Sequence, residues 1–280
     1  MTPFDADTPA RLDLLEAWSD LAHATAQAEM YPDSGAASLA VAGGYAVYCG
    51  QPSPLNRACG LGMSGPVGSE DLDALEAFYS SRGCDACVRV CPHADASLVR
   101  LLGERGYALR AFMNVYARPV GEDIAHGDAI AHGDVIADSD VIPGVEIRIA
   151  TVDEARLWFI RAGYGGDWAR PDGIEFMAIR TVLKPGARLY LAWKDGLPVG
   201  GGALEIHEGA AALMAAMTLP AYRRLGIHAA LMHARLAAAA EAGCDIAVAH
   251  TRPGAMSQGN VLRNDFRLMY TTAELVHPNP

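Results

Sequence analysis

Thr218-Leu219-Pro220-Ala221-Tyr222-Arg223-Arg224-Leu225-Gly226-Ile227-His228 joins a predicted strand, 211–219, to a long Ala/Leu-rich helix, 222–242, and this junction decides the reading of the chain. A strand, a turn with arginines and a glycine, then a helix start make an anion site. The first amides of a helix have no partner within it, and the helix dipole adds partial positive charge there. Gly226 lets a phosphate come close to the backbone. Arg223 and Arg224 can add charge-assisted hydrogen bonds. On residue chemistry alone the ligand is a phosphate or a carboxylate. The plainer alternative is a solvated first turn carrying two arginines.

Outward from the junction the second half alternates elements. Strands are predicted at 145–150, 188–194, 198–207, 211–219, 245–251 and 267–275, and helices at 152–162, 173–183, 222–242 and 257–264. Asp195-Gly196 is a hairpin turn signal and Gly243 a helix stop. The first half repeats the grammar. Helices are expected at 11–30 (Leu12, Leu15, Trp18 and Ala22 along one stripe), from Ser69, and at 94–104. Strands are expected at 37–49 (broken at Gly43-Gly44), 57–63, 87–91 and 108–117. Such alternation predicts a mixed α/β sheet flanked by helices in each half.

Between the halves stand Ala125-His126-Gly-Asp-Ala-Ile130, Ala131-His132-Gly-Asp-Val-Ile136 and Ala137-Asp-Ser-Asp-Val-Ile142, three copies of one hexapeptide. Three turns are too few for a stacked β-helix, so they read as an acidic linker ending at Pro143-Gly144. The expected division is 1–120, a linker at 121–143, and 144–280.

The 280 residues carry 22 basic and 33 acidic side chains, net −11, with 51% hydrophobic. That is a globular composition. Its acidity disfavours nucleic acid and anionic membranes and suits cationic or amine-bearing small molecules. No run of about 18 apolar residues predicts a membrane span, and the acidic start lacks a basic leader; a cytoplasmic protein is expected. Cys84, Cys87 and Cys91-Pro92 partly echo an iron–sulfur ligand run. The fourth ligand is missing at local spacing, so free buried thiols in a reducing compartment are the plainer reading, and no metal is expected.

The pattern Thr218-x-Pro220-x-Tyr222-Arg223-x-x-Gly226-Ile227, then a long helix, a short strand and the stretch from Thr251 through Ser257, Asn260 and Phe266 to Tyr270 resembles the GNAT acetyltransferases over nearly all of 144–280. The resemblance implies acetyl-CoA as co-substrate and direct transfer to an amine, most simply a small one, in a ternary complex. It implies that Met217, Thr218 and Leu219 hold the pantetheine and polarise the thioester. Arg223 and Arg224 supply charge, and the amides of Arg224, Leu225, Gly226, Ile227, His228 and Ala229 cradle the pyrophosphate. Ser257 or Asn260 contacts the pantetheine arm or the adenosine end. Departures are His228 at a position usually small, Asn264-Asp265 before Phe266, and Val261 near the place of a tyrosine that often protonates the thiolate. That loss keeps open a second reading, a non-catalytic coenzyme A binder acting as a sensor or interaction module.

An amine must shed a proton before attack. Glu205 and His207, two apart on a strand, are the leading bases, ahead of Glu208 and His250. Tyr164, Asp167 and Trp168 lie where the family admits its acceptor and can hold a cation. The stretch 94–107 resembles the family's last helix and Gly-aromatic ending, so the first half reads as a degenerate copy. Its turn at 62–73 carries Glu70, Asp71 and Asp73 in place of arginine, which predicts no coenzyme A there. A duplicated chain has less need of a symmetric partner; monomer and homodimer both fit.

Overall fold

A computed structural model describes residues 5–121, 142–162 and 171–279. His126, His132, Tyr164, Asp167 and Trp168, and nearly all of the hexapeptide copies, lie outside the described residues. The chain forms two compact units, and the halves of the sequence do not coincide with them. The first comprises Met1–Val115, Thr251–Gly254 and Leu268–Pro280, and the second Tyr116–His250 and Ala255–Arg267. Each is mixed α/β, as the alternation implied.

The first unit opens with α1 (Thr8–Met30), then β1 (Ala37–Val41), β2 (Gly44–Tyr48), β3 (Arg57–Cys59), α2 (Ser69–Ser80), β4 (Ala86–Val90), α3 (Ala96–Glu104) and most of β5 (Ala108–Pro119). The last strand of the chain, β11 (Arg267–His277), completes it, so its sheet runs β1-β2-β3-β4-β11-β5. β11 is antiparallel to β4, with Ala273 opposite Val90 and His277 opposite Ala86. β1 and β2 meet across Ala42-Gly43, both at positive φ, in the hairpin geometry that the sequence showed only as a broken strand.

Helix α1 departs from its expected stripe. Leu12 and Leu15 are buried, but so are Asp13, Glu16 and Asp20. The cause is a pair of sheet arginines. Arg57 donates to Asp20 (2.9 Å) and to Glu16 (2.9 Å), and Arg89 pairs with Glu16 and with Glu274 (3.3 Å). Buried charges persist when paired and hydrogen-bonded. Asp13 instead accepts from the Gly60 amide (3.1 Å), and burial beside Glu16 pushes its carboxyl up to about 7.

The second unit contains β6 (Val145–Ile149), α4 (Val152–Arg161), α5 (Pro171–Ala178) continuing as a π-helical turn (Ile179–Leu183), β7 (Ala187–Lys194), β8 (Leu197–His207), β9 (Ala210–Thr218), α6 (Ile227–Glu241), β10 (Ile246–Thr251) and α7 (Met256–Arg263). The end of β5 joins it, and the strand order is β5-β10-β9-β8-β7-β6. β6 to β9 form an antiparallel meander, and β10 lies parallel to β9. Asp195-Gly196 forms the two-residue turn expected between β7 and β8, with both residues at positive φ. Gly243, at φ +74, ends α6 as expected.

Three consecutive glycines in β8 let helices touch the sheet on both faces. A Cβ on Gly200 would lie 2.7 Å from Ile227, one on Gly202 2.8 Å from the Arg235 guanidinium, and one on Gly201 2.6 Å from the Trp158 indole nitrogen. α6 therefore sits almost on the β8 backbone. Tyr190, Leu204, Leu213, Ile227, Leu231, Leu236, Val261 and Phe266 fill the core on that side. Among the described residues no helix is long and apolar enough to cross a membrane.

Candidate active site

β9 and β10 stay in register from Ala210–Ile246 to Leu213–Ala249, and β9 then continues to Thr218 beside β8. Within that continuation Gly201 faces Met217 and Ala203 faces Met214, which leaves two residues on β9, Ala215 and Ala216, against one on β8, Gly202. The extra residue is a β-bulge, with Ala215 at φ +51. A bulge bends its strand and breaks the ladder locally, and this one bends β9 where its pairing with β10 ends. Beyond Leu213 and Ala249 the two strands are no longer in register, and the edge of β9 along Met214 to Thr218 is the candidate slot.

At the slot's end the chain turns sharply. The Leu219 amide donates to Val199 (3.0 Å), Pro220–Tyr222 make one 3-10 turn, and Arg223 is extended. Arg224 (φ +63) and Gly226 (φ +86) are left-handed. Helix α6 starts at Ile227, five residues later than the sequence suggested, because left-handed residues cannot continue a right-handed helix. Its first i to i−4 bond runs from the Ala230 amide to Gly226 O (3.0 Å). The helix-start donors are thus Ile227, His228 and Ala229, and the run is shorter than the expected 224–229. Left-handed residues at such a start form a concave nest of N–H groups suited to an anion.

Side chains complete this end. Arg224 is exposed, and Arg223 folds back so that its Nε donates to Thr218 O (3.3 Å). The Thr218 hydroxyl is buried and has no partner among the described residues. His228 is partly buried, and burial first, then Arg235 and Arg263, pull its imidazole down to about 4. It is neutral near pH 7 and takes no charge from the anion site.

The shift carries a stability signature. The folded His228 is neutral while the unfolded imidazole takes a proton near pH 6.5, so stability is full above 6.5 and falls as pH drops toward 4. Urea unfolding at pH 7 and pH 5 is expected to differ by about 1–2 kcal/mol from this residue. His228→Gln should remove that part; an unchanged difference in the variant rejects the assignment.

Helix α7 presents Ser257 exposed on its first turn. The Asn260 side-chain oxygen accepts from Arg263 (2.5 Å), and its carbonyl accepts from the Asn264 amide nitrogen (2.8 Å). Arg263, which the sequence reading passed over, is close enough to act on His228. Val261 is 5% exposed and packs in the core with Phe266, so the place of the missing tyrosine is filled by core packing.

The expected bases stand apart from the slot. Glu205 is 0% exposed, its carboxylate 2.5 Å from the Lys184 ammonium, itself 0% exposed. It does not open to a substrate. The pattern suggested a strand-end base, but strand β8 runs past it and the turn before β7 places Lys184 over it. His207 lies at the β8–β9 hairpin, paired to Ala210, with Glu208 3.9 Å away. Four residues of strand separate Ala210 from Met214, about 13 Å, so His207 cannot touch a group bound at the bulge directly. His250 is half-buried on β10.

In the first unit, the turn expected to lack coenzyme A is closed by its own acid: the Asp71 carboxylate accepts from the Gly68 amide (2.8 Å) at the start of α2. Cys84, Cys87 and Cys91 are free and buried. Burial pushes the Cys87 thiol up to about 11 and Cys91 to about 12, which keeps them as neutral thiols. Glu16, Asp20 and Cys59 converge within 4.8 Å, but the Arg57 guanidinium occupies that ground by donating to both carboxylates.

Residues 153–258 match the Acetyltransferase (GNAT) family, so an acetyltransferase domain, and with it an acyltransferase, occupies most of the second unit. Among solved structures, the chain resembles a GCN5-related N-acetyltransferase from Kribbella flavida at 18% identity and TM-score 0.59, covering 92% of this chain and 95% of that one. It also resembles a tandem GNAT protein from the clavulanic acid biosynthesis pathway at 11% identity and TM-score 0.53, covering 74% of this chain and 68% of that one. At these identities the likeness is one of fold. No curated protein matches the sequence.

Proposed function

We propose that the second unit transfers the acetyl group of acetyl-CoA to the amine of a small, cationic acceptor within a ternary complex. One observation carries this reading: a left-handed turn at Arg224 and Gly226 links the end of β9 to the start of α6, whose first amides are those of Ile227, His228 and Ala229. The diphosphate binds there, with Arg223, Arg224 and Leu225 around it. Main-chain groups of Met217, Thr218 and Leu219 hold the pantetheine, and Ser257 and Asn260 border its arm. The thioester carbonyl then lies at the bulge, where the Ala215 amide stabilises the developing oxyanion.

The amine nitrogen attacks the thioester carbon, the C–S bond breaks, and the amide product and coenzyme A thiolate form. The amine proton passes to solvent and from there, along a chain of waters, to His207 at the β8–β9 hairpin; the buried Glu205–Lys184 pair holds β8 in place between the hairpin and the bulge. The thiolate is protonated by solvent, since Val261 offers no proton. Tyr164, Asp167 and Trp168 receive the acceptor, and the acidic surface draws it in. The first unit is a degenerate copy that does not bind the coenzyme, and the protein works in the cytoplasm as a monomer or homodimer.

Thiol release from acetyl-CoA, measured against a panel of small amines, tests this. Turnover with at least one amine is expected, and His207→Gln should lower kcat/KM without weakening coenzyme A binding. The buried Val261 favours a second reading, a coenzyme A binder without turnover. Tight binding with no thiol release for any amine would establish it, and no binding of coenzyme A would remove both.

A further inference from the structure

Arg235 lies on α6 eight residues beyond Ile227, about 12 Å along the helix from the amides of its start. It is 1% exposed. Among the described residues it makes no ion pair; the Tyr190 phenol is the one neighbour acting to hold its charge. Its Nε donates to Leu231 O (2.8 Å) within the helix, and its Nη1 reaches two carbonyls of the sheet, Ala203 O (3.2 Å) and Met214 O (3.5 Å). Nη2 has no partner among the described residues. A buried guanidinium without a carboxylate costs several kcal/mol, so packing alone does not account for it.

Its position does. Ala203 and Met214 are the pair that face each other where the β8–β9 register shifts, and Ala215 is the bulged residue. Gly202 makes the reach possible, since any side chain there would meet the guanidinium carbon at 2.8 Å. In a trans peptide the carbonyl and the following N–H point in opposite directions. Holding Met214 O toward Arg235 therefore turns the Ala215 N–H away from it, out of the bulge, and a cation on the carbonyl makes that N–H a stronger donor.

We propose that Arg235 is a positioning residue for acetyl transfer: it fixes and polarises the Met214–Ala215 peptide so that the Ala215 N–H meets the thioester oxygen as negative charge develops there. The inference rests on the acetyl-CoA reading above. Among the described residues the buried charge has no counter-ion, and the negative charge of the transition state would act on it through the Met214–Ala215 peptide.

Arg235→Met and Arg235→Lys are compared with the wild type for coenzyme A affinity by calorimetry and for kcat and KM with an active amine. Arg235→Met should keep coenzyme A affinity within about twofold, since the diphosphate site is remote, and lose about 100-fold in kcat with KM unchanged. Arg235→Lys should recover about tenfold of that loss. A wild-type kcat in Arg235→Met overturns the proposal, as does a parallel fall of kcat and coenzyme affinity in both variants. Should Arg235→Met fail to fold, NMR of wild-type guanidinium protons decides: the Arg235 signals should move on adding acetyl-CoA and stay in place with coenzyme A. Equal response to both overturns the proposal. Wild-type protein that binds neither coenzyme overturns the underlying function instead.

Discussion

Lys184→Met is expected to destabilise the second unit by about 3–5 kcal/mol, the cost of removing one partner of a buried ion pair. Lys184 and Glu205 are both 0% exposed, with Nζ and Oε1 2.5 Å apart. Glu205→Leu should cost a similar amount, since it removes the other partner of the same buried pair. The double variant should recover much of either loss, because two apolar side chains of like volume satisfy the site without charge. Urea unfolding of the four proteins forms the cycle. Singles that lose less than about 1 kcal/mol would mean that water reaches the pair, and would restore Glu205 as a group open to substrate.

Gly226→Val is expected to weaken coenzyme A binding by about 100-fold, with a far smaller effect on the fold. Gly226 sits at φ +86 as the residue before α6. A β-branched side chain in that conformation costs roughly 1–2 kcal/mol, which shifts melting by about 2–8 °C for a unit of this size. The chain itself has room, since the new Cβ would lie 3.4 Å from Ile142. The ligand does not. If the turn relaxes toward negative φ, the Ile227 and His228 amides swing off the diphosphate, and each charge-assisted bond lost is worth about 1.5–3 kcal/mol. Gly226→Asn, which tolerates left-handed geometry, should lose much less. Calorimetry with coenzyme A checks both; wild-type affinity in Gly226→Val would place the coenzyme elsewhere.

Much of this protein was legible before its structure. The hairpin at Asp195-Gly196, the stop at Gly243 and the left-handed turn at Gly226 are local. Each is dictated by the few residues that adopt positive φ without strain. The alternation of elements gave the mixed α/β class for the same reason, since strand and helix periodicities are written in consecutive residues. The start of α6 was misplaced because Arg224 is left-handed without being glycine, and no sequence rule marks it. Glu205 and His207 share a face in any strand, so the sequence paired them. It could not show that Lys184 covers one and that the hairpin carries the other away from the bulge.

The sequence by itself determined the glycine turn that leads from β9 into α6, because backbone conformation depends on neighbours in the chain. Only the tertiary structure decided the rest. It put β11 in the sheet of the first unit, bent β9 at Ala215, and buried Arg57 and Arg89 against α1 and Arg235 beneath β8. These depend on which residues distant in sequence meet at close range, and a charged side chain is buried only where such a meeting supplies its hydrogen bonds.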